Sequence, residues 1–301
     1  MGPIDARVIR ESLGRWGDVA DALSAVLRDS GTRSDALEAS VRHRDGAFVG
    51  HRMMIEGVDT ATALALLNVL GFDLHGSPLA KGVARAPALP AIAGWDAGAP
   101  ELVGKLYLNA SDASATVRAE LARAFDLPPE AGAPHLVGFN VRRGGAERRA
   151  QALAIETKVY DQRASLAECA DDDVPPFVAD WLGAASPAGL VRSRVVAEAK
   201  VSTKAWFVAP RADDVAEILT RVSGFDLDQA RACIPFTTGV LKSIGGPPDG
   251  SSWTLYFKPE GAGDAPHALD PVACFGTEEG EVGLYVAPSE GTPRAYVRTA
   301  H

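Results

Sequence analysis

The sequence predicts an α+β protein, a ten-stranded antiparallel β-barrel ringed by α-helices and built from about five strand-strand-helix units. Three observations carry the prediction. A helix-ending phrase recurs, as "LLNVLGFDL" closing at Leu74, "LARAFDL" at Leu127 and "LTRVSGFDL" at Leu227. Phe72 and Phe125 lie 53 residues apart and Phe125 and Phe225 lie 100, so one period is about 50 residues. Upstream of the helices, strand-like runs carry a cation: Arg52 in "GHRMMIEG", Lys105 in "GKLYLNA", Lys158 in "ETKVYDQ" and Lys204 in "STKAWFVAP". Tyr256 of "SWTLYFKPE" follows one period later. Finally, the cation-bearing runs are preceded by a second strand-like run across a turn.

In chain order, residues 1–30 form an N-terminal helical segment of a single domain covering 1–301. "LEASVRHRDGAFVGHRMMI" is a hairpin about Asp45-Gly46, a favoured two-residue turn. The helix ending at Leu74 follows, then the Lys105 strand, then a helix with Val117, Leu121 and Phe125 on one face. "LVGFNVRRGGAERRAQALAIETKVY" turns at Gly144-Gly145, and "VPPFVADWLGAAS" around Trp181 is a degenerate copy of the helix. "VRSRVVAEAKVSTKAWFV" supplies the next strand pair, and Val215, Ile218, Leu219 and Val222 the next helical face. "FTTGVLKSIGGPPDGSSWTLYFKP" is two strands around a Gly/Pro/Asp/Ser loop, and a fifth helix copy is expected near Phe275. Ten sequential antiparallel strands leave two exposed edges unless the sheet closes. Closure leaves a lumen too wide for side chains alone, and therefore room for a ligand.

Alternation along the strands identifies the lumen face. Lys105 shares a face with Tyr107, Lys158 with Tyr160, Lys204 with Trp206, and Tyr256 with Thr254 and Lys258. The opposite faces read Leu106 and Leu108, Ala205 and Phe207, Leu255 and Phe257, which suits packing beneath helices. The lumen thus collects cations and aromatic rings. Cations converging from separate strands repel one another unless a polyanion sits among them. Tyrosine hydroxyls donate to the same oxygens, and the ring faces of Tyr107 and Trp206 would shield a carbocation. Loss of diphosphate from an allylic carbon produces the anion and the carbocation together, which points to prenyl transfer.

Composition narrows the alternatives. A net charge of −9 with no basic block argues against nucleic acid. The apolar runs are far shorter than a membrane span, and Cys169, Cys233 and Cys274 show no paired spacing, so a cytoplasmic protein without a zinc site is expected. The aspartates of "ADDDVPPF", Asp171 to Asp173, run together before prolines and read as a solvated loop or a helix cap. No protein metal site is predicted. Magnesium can accompany a diphosphate through the phosphate oxygens themselves.

The chain resembles the αββα (ABBA) prenyltransferases, and among them the cyanobactin-type peptide prenyltransferases. The resemblance rests on "LEASVRHRDGAFVGHRMM" (Leu37 to Met54), "VGFNVRRGGAERRAQALAIETKVY" (Val137 to Tyr160) and "FTTGVLKSIGGPPDGSSWTLYFKP" (Phe236 to Pro259). It implies transfer of an isoprenoid from a prenyl diphosphate to a side chain of a small, cyclic, ribosomal peptide; a monomer is expected. It implies a catalytic glutamate at Glu38, and diphosphate binding by Arg52, Lys105, Lys158, Tyr160, Lys204, Tyr256 and Tyr296. On strand parity Glu38 shares a face with Ser40 and Arg42, where a carboxylate could take the acceptor's proton. Members using the five-carbon donor carry a bulky aromatic before the Thr-Gly of this last segment. Here that position is Thr237, beside Phe236, so geranyl diphosphate or a longer donor is expected over dimethylallyl diphosphate. The alternatives are prenylation of a small phenol, indole or tryptophan, and a non-catalytic barrel that binds a lipid diphosphate or a peptide.

Overall fold

A computed structural model describes residues 6–32, 37–44, 47–98, 101–143, 153–163, 187–198, 200–207, 240–246, 253–258, 280–287 and 292–300. The chain opens with α1 (Ala6–Leu13) and α2 (Ala20–Asp29), joined by a 3-10 turn over Gly14–Val19. Ile9 and Leu13 on α1, and Leu23 and Leu27 on α2, are buried in one core with the sheet, α1 lying on β2 (Ala47–Val58) and β3 (Ala91–Gly98) and α2 on α1 and α3 (Thr60–Val69).

The strands follow as hairpins. The first is β1 (Leu37–Arg44) with β2 (Ala47–Val58), and the second β3 (Ala91–Gly98) with β4 (Leu102–Asn109). Between them lie α3 (Thr60–Val69) and α4 (Pro78–Arg85). After β4 comes α5 (Ala115–Ala124), then β5 (Leu136–Arg143) with β6 (Leu153–Arg163) and β7 (Pro187–Val195) with β8 (Val201–Phe207). Then come β9 (Val240–Gly246) with β10 (Trp253–Lys258) and β11 (Gly280–Ala287) with β12 (Thr292–Ala300). Each strand pairs antiparallel with its neighbour in sequence, and β12 also pairs with β1. The antiparallel α+β architecture agrees with the sequence. The count does not: the described residues hold twelve strands in six hairpins, not ten in five units. The additional hairpin is β11–β12, which contributes the strand that pairs with β1. The helix copies expected around Trp181, Val215 and Phe275 lie outside the described residues.

The helices begin where their caps dictate. Asp59 accepts the Thr62 N–H at 2.6 Å, Ser77 the Ala80 N–H at 3.1 Å and Ser114 the Val117 N–H at 3.3 Å. Each satisfies an amide that has no partner within its own helix. Pro78 then occupies the first position of α4, where its missing N–H costs nothing.

The recurring Phe-Asp-Leu has a packing explanation. At the end of α3, Gly71 turns left-handed (φ 83°) and the Phe72 N–H reaches the Leu67 carbonyl at 3.0 Å. Phe72 is then driven inward onto Gly104 of β4, where an added Cβ would lie 2.8 Å from its ring. The end of α5 lacks the glycine, and Asp126 adopts the left-handed conformation instead (φ 51°), one of the few side chains that tolerate it. Leu127 N–H closes on the Ala122 carbonyl at 3.0 Å. Phe125 packs on Phe139 with ring centroids 4.7 Å apart and covers Gly82 of α4, where a Cβ would collide with the ring. Arg85 fastens the same junction, donating to the Ala124 carbonyl and to Asp126. Each phenylalanine therefore plugs a helix end onto a glycine of another element, Phe72 onto β4 and Phe125 back onto α4.

Strand alternation divides the sheet into two faces. Met53, Ile55, Trp95, Leu106, Leu108, Val137 and Phe139 are buried with the helices in one core. The polar alternates lie on the other face. No helix among the described residues is long and apolar enough to cross a membrane.

Candidate active site

The face opposite the described helices can be followed from strand to strand by register. Glu38, Met54, Gly94, Lys105, Asn140 and Glu156 are successive direct partners across β1 to β6. One step along, Ser40, Arg52, Asp96 and Val103 form a second row. Tyr107, Gly138, Lys158 and Val195 form a third. Farther round, Val191 opposes Lys204, Ser243 opposes both Trp206 and Tyr256, and Gly283 opposes both Tyr256 and Tyr296. Tyr296 opposes Arg42 and so returns to β1. Because directly opposed residues share a face, Glu38, Arg52, Lys105, Tyr107, Lys158, Tyr160, Lys204, Trp206, Tyr256 and Tyr296 all hold register positions on this one. Phe236 and Thr237 lie outside the described residues.

The side chains of β2 to β6 are organised around two carboxylates. Asp96 of β3 accepts the Arg52 Nε–H on Oδ1 at 2.6 Å and the Nη2–H on Oδ2 at 3.2 Å. Lys105 Nζ lies 2.9 Å from Oδ2. The side chains are 13% (Asp96), 8% (Lys105) and 24% (Arg52) exposed, so the carboxylate and the lysine are nearly buried and the guanidinium keeps partial access to water. Burial alone would raise the Asp96 pKa. The charges of Arg52 and Lys105, with their hydrogen bonds, outweigh it and hold the carboxyl well below the usual range. Glu156 of β6 repeats the pattern less tightly. It accepts from Asn140 Nδ2 at 2.6 Å and lies 3.1 Å from Lys158 Nζ and 3.9 Å from Arg142. Burial pulls its pKa up, and the bonds from Asn140 and Lys158 and the charges of Lys158 and Arg142 bring it below the ordinary value.

Two tyrosines stand beside these cations. Tyr107 and Tyr160 are tilted at 59° with centroids 6.0 Å apart, over Gly138 of the strand between them. A Cβ at Gly138 would lie 2.6 Å from Tyr107 Cδ1 and 3.1 Å from Tyr160 Cε2, so the pair requires a glycine.

The structure therefore gathers Arg52, Lys105 and Lys158 beside Tyr107 and Tyr160. A carboxylate sits beside each of the three, Asp96 beside Arg52 and Lys105 and Glu156 beside Lys158. Asp96, Glu156, Asn140 and Arg142 were missed. Glu156 was readable, since it alternates in phase with Lys158 and Tyr160 in "ETKVYDQ". Asp96 was harder to find, because its strand reads "AIAGWDAG" and is built from small residues.

No family model matches the chain, and no curated protein matches it in sequence. Solved structures do match. Prenyltransferase PriB, in a ternary complex with L-tryptophan and dimethylallyl thiolodiphosphate, superposes with a TM-score of 0.50 at 14% identity, covering 98% of this chain and 94% of PriB. 5-Dimethylallyltryptophan synthase from Streptomyces coelicolor aligns with a TM-score of 0.47 at 14% identity, over 98% of this chain and 95% of its own. The similarity to PriB is one of fold.

Proposed function

We propose that this chain is an ABBA-type prenyltransferase, moving an isoprenyl group from a prenyl diphosphate to a nucleophilic acceptor. The supporting observation is the face opposite the described helices, where Arg52, Lys105 and Lys158 stand beside the Tyr107–Tyr160 pair. The reading includes closure of the sheet into a barrel, supported by the pairing of β1 with β12, so that this face lines a lumen.

In that lumen the diphosphate binds among Arg52, Lys105, Lys158 and Lys204, with hydroxyls of Tyr160, Tyr256 and Tyr296 on its remaining oxygens. The allylic C–O bond breaks and its electron pair leaves on the diphosphate oxygen, whose growing charge the cations stabilise. Tyr107 and Trp206 present ring faces to the allylic cation. The acceptor's electron pair closes the new bond, and Glu38 takes the proton the acceptor loses. Both Asp96 oxygens are engaged by Arg52 and Lys105, so this carboxylate is not an open magnesium ligand. Magnesium would be held through the diphosphate.

The acceptor is a side chain of a small cyclic peptide on the sequence resemblance, and Thr237 favours a geranyl or longer donor. A tryptophan-like small molecule is the second reading, and the fold shared with PriB favours it. The same account has the enzyme act as a cytoplasmic monomer, apart from membranes and nucleic acid. Glu38→Gln tests the assignment by product mass and by donor binding. Catalysis requires that product formation collapse while geranyl diphosphate still binds, and an unchanged rate removes Glu38 from the mechanism.

A further inference from the structure

We propose that Asp96 is a positioning residue for the donor diphosphate: its carboxylate clamps the Arg52 guanidinium and the Lys105 ammonium side by side and aims them together. This rests on the prenyl-transfer reading of the same face. Arg52 and Lys105 come from β2 and β4, which are not neighbours, and Asp96 comes from β3 between them. It opposes Arg52 directly and reaches Lys105 on the diagonal, since Lys105 opposes Gly94. Gly94 carries no side chain, and a Cβ there would lie 2.2 Å from the Met53 carbonyl oxygen and 2.8 Å from Met54 Sδ, so no side chain stands between Asp96 and Lys105 at this position.

The carboxylate divides its oxygens. Oδ1 takes the Arg52 Nε–H, while Oδ2 takes the Arg52 Nη2–H and lies within 2.9 Å of the Lys105 ammonium. A lysine head on its flexible stem has no preferred direction, and two cations this close repel unless something negative lies between them. Asp96 removes both problems at once. It takes one of the three N–H groups an ammonium offers. Two cations and one carboxylate leave one net positive charge.

Two accounts of Asp96 predict opposite results. If it only dilutes the positive charge, Asp96→Asn should strengthen diphosphate binding and leave turnover intact. If it positions the cations, Asp96→Asn should lower kcat by at least about tenfold, because misplaced charge stabilises the leaving group poorly. The gain in net charge then keeps the donor KM within about threefold. Asp96→Glu, which keeps the charge on a longer stem, should restore part of kcat.

The experiment measures kcat and KM for geranyl diphosphate, and the Kd of inorganic diphosphate by calorimetry. It uses wild type, Asp96→Asn, Asp96→Glu, and Asp96→Asn combined with Lys105→Met. Positioning through Lys105 requires that Asp96→Asn lose most of its effect on kcat once Lys105 is absent. A kcat within twofold of wild type in Asp96→Asn, or the same fold-loss in both backgrounds, overturns the proposal. Should Asp96→Asn fail to fold, Asp96→Glu decides: a several-fold loss of kcat at unchanged KM supports positioning, and a wild-type kcat overturns it. Wild type that neither binds diphosphate nor turns over a donor defeats the prenyl-transfer reading and this proposal with it. Wild type that binds and turns over beside indistinguishable Asp96 variants defeats the positioning role alone.

Discussion

Replacing Asp96 by alanine should be among the most destabilising single changes on this face, and the size of the effect follows from its surroundings. The carboxylate lies between two cations whose side chains are 24% (Arg52) and 8% (Lys105) exposed. Removing it leaves both charges in place without their counter-ion. Breaking a fully buried pair costs about 3–5 kcal/mol, whereas an exposed pair is worth at most about 1 kcal/mol. Partial access of Arg52 to water places the expectation near 3 kcal/mol, at the low end of the buried range. Urea denaturation monitored by circular dichroism measures it. With a slope of about 2–3 kcal/mol/M, the midpoint should fall by about 1–1.5 M. The sign of the pH dependence is also fixed. The folded pKa of Asp96 lies below its unfolded value of about 3.9. Its contribution is therefore complete at neutral pH and is lost as the pH falls through and below that value toward the folded pKa. The gap between wild type and Asp96→Ala should narrow over the same interval. A midpoint shift under about 0.3 M at pH 7, or a gap that widens with acid, would refute the reasoning.

Other perturbations follow from the same geometry. Gly138→Val places a side chain into the Tyr107 ring, with even the first carbon at 2.6 Å. It should cost about 1–3 kcal/mol in thermal denaturation and depress turnover by displacing the tyrosine pair. Asp59→Ala removes the cap on α3 at a cost of about 1 kcal/mol. The hydrogen bonds from Thr62 hold the Asp59 pKa below its ordinary value, so the difference from wild type should shrink as the pH is lowered. Thr237→Trp should move donor preference from geranyl toward dimethylallyl diphosphate in a competition assay read by product mass.

Features with a strict local rule were legible in the sequence. The period-two parity that put Lys105 with Tyr107, and Leu106 with Leu108, survives in the register because half of each strand must pack under helices. Phe-Asp-Leu was recognised as a helix ending, although its two described copies differ: Gly71 makes the left-handed turn in one and Asp126 in the other. What the phrase achieves was not legible, because the glycines that Phe72 and Phe125 cover, Gly104 and Gly82, lie 32 and 43 residues away. The number of units was misjudged for a related reason. Pairing of β12 with β1 joins residues near the two ends of the chain, and no local pattern in "VGLYVAPSEGTPRAYV" announces it. At the site the cations were found by counting, and the carboxylates of Asp96 and Glu156 were not. Asp96 sits in a strand of Ala and Gly whose alternation shows mainly in Trp95 and Asp96 themselves. Its role depends on a diagonal contact that only register reveals.

The most direct test of the central claim is the mass of the acceptor after incubation with purified protein, geranyl diphosphate and magnesium. Cyclic peptides displaying Trp, Tyr, His, Arg or Ser, free tryptophan and a simple phenol would be offered in parallel with dimethylallyl and farnesyl diphosphate. The account predicts the gain of one isoprenoid chain on an acceptor, with release of diphosphate, and the largest yield from geranyl or farnesyl diphosphate on a cyclic peptide. Gain on tryptophan or the phenol alone would transfer the conclusion to the small-molecule reading. Folded protein that leaves every acceptor mass unchanged and every donor intact would contradict prenyl transfer.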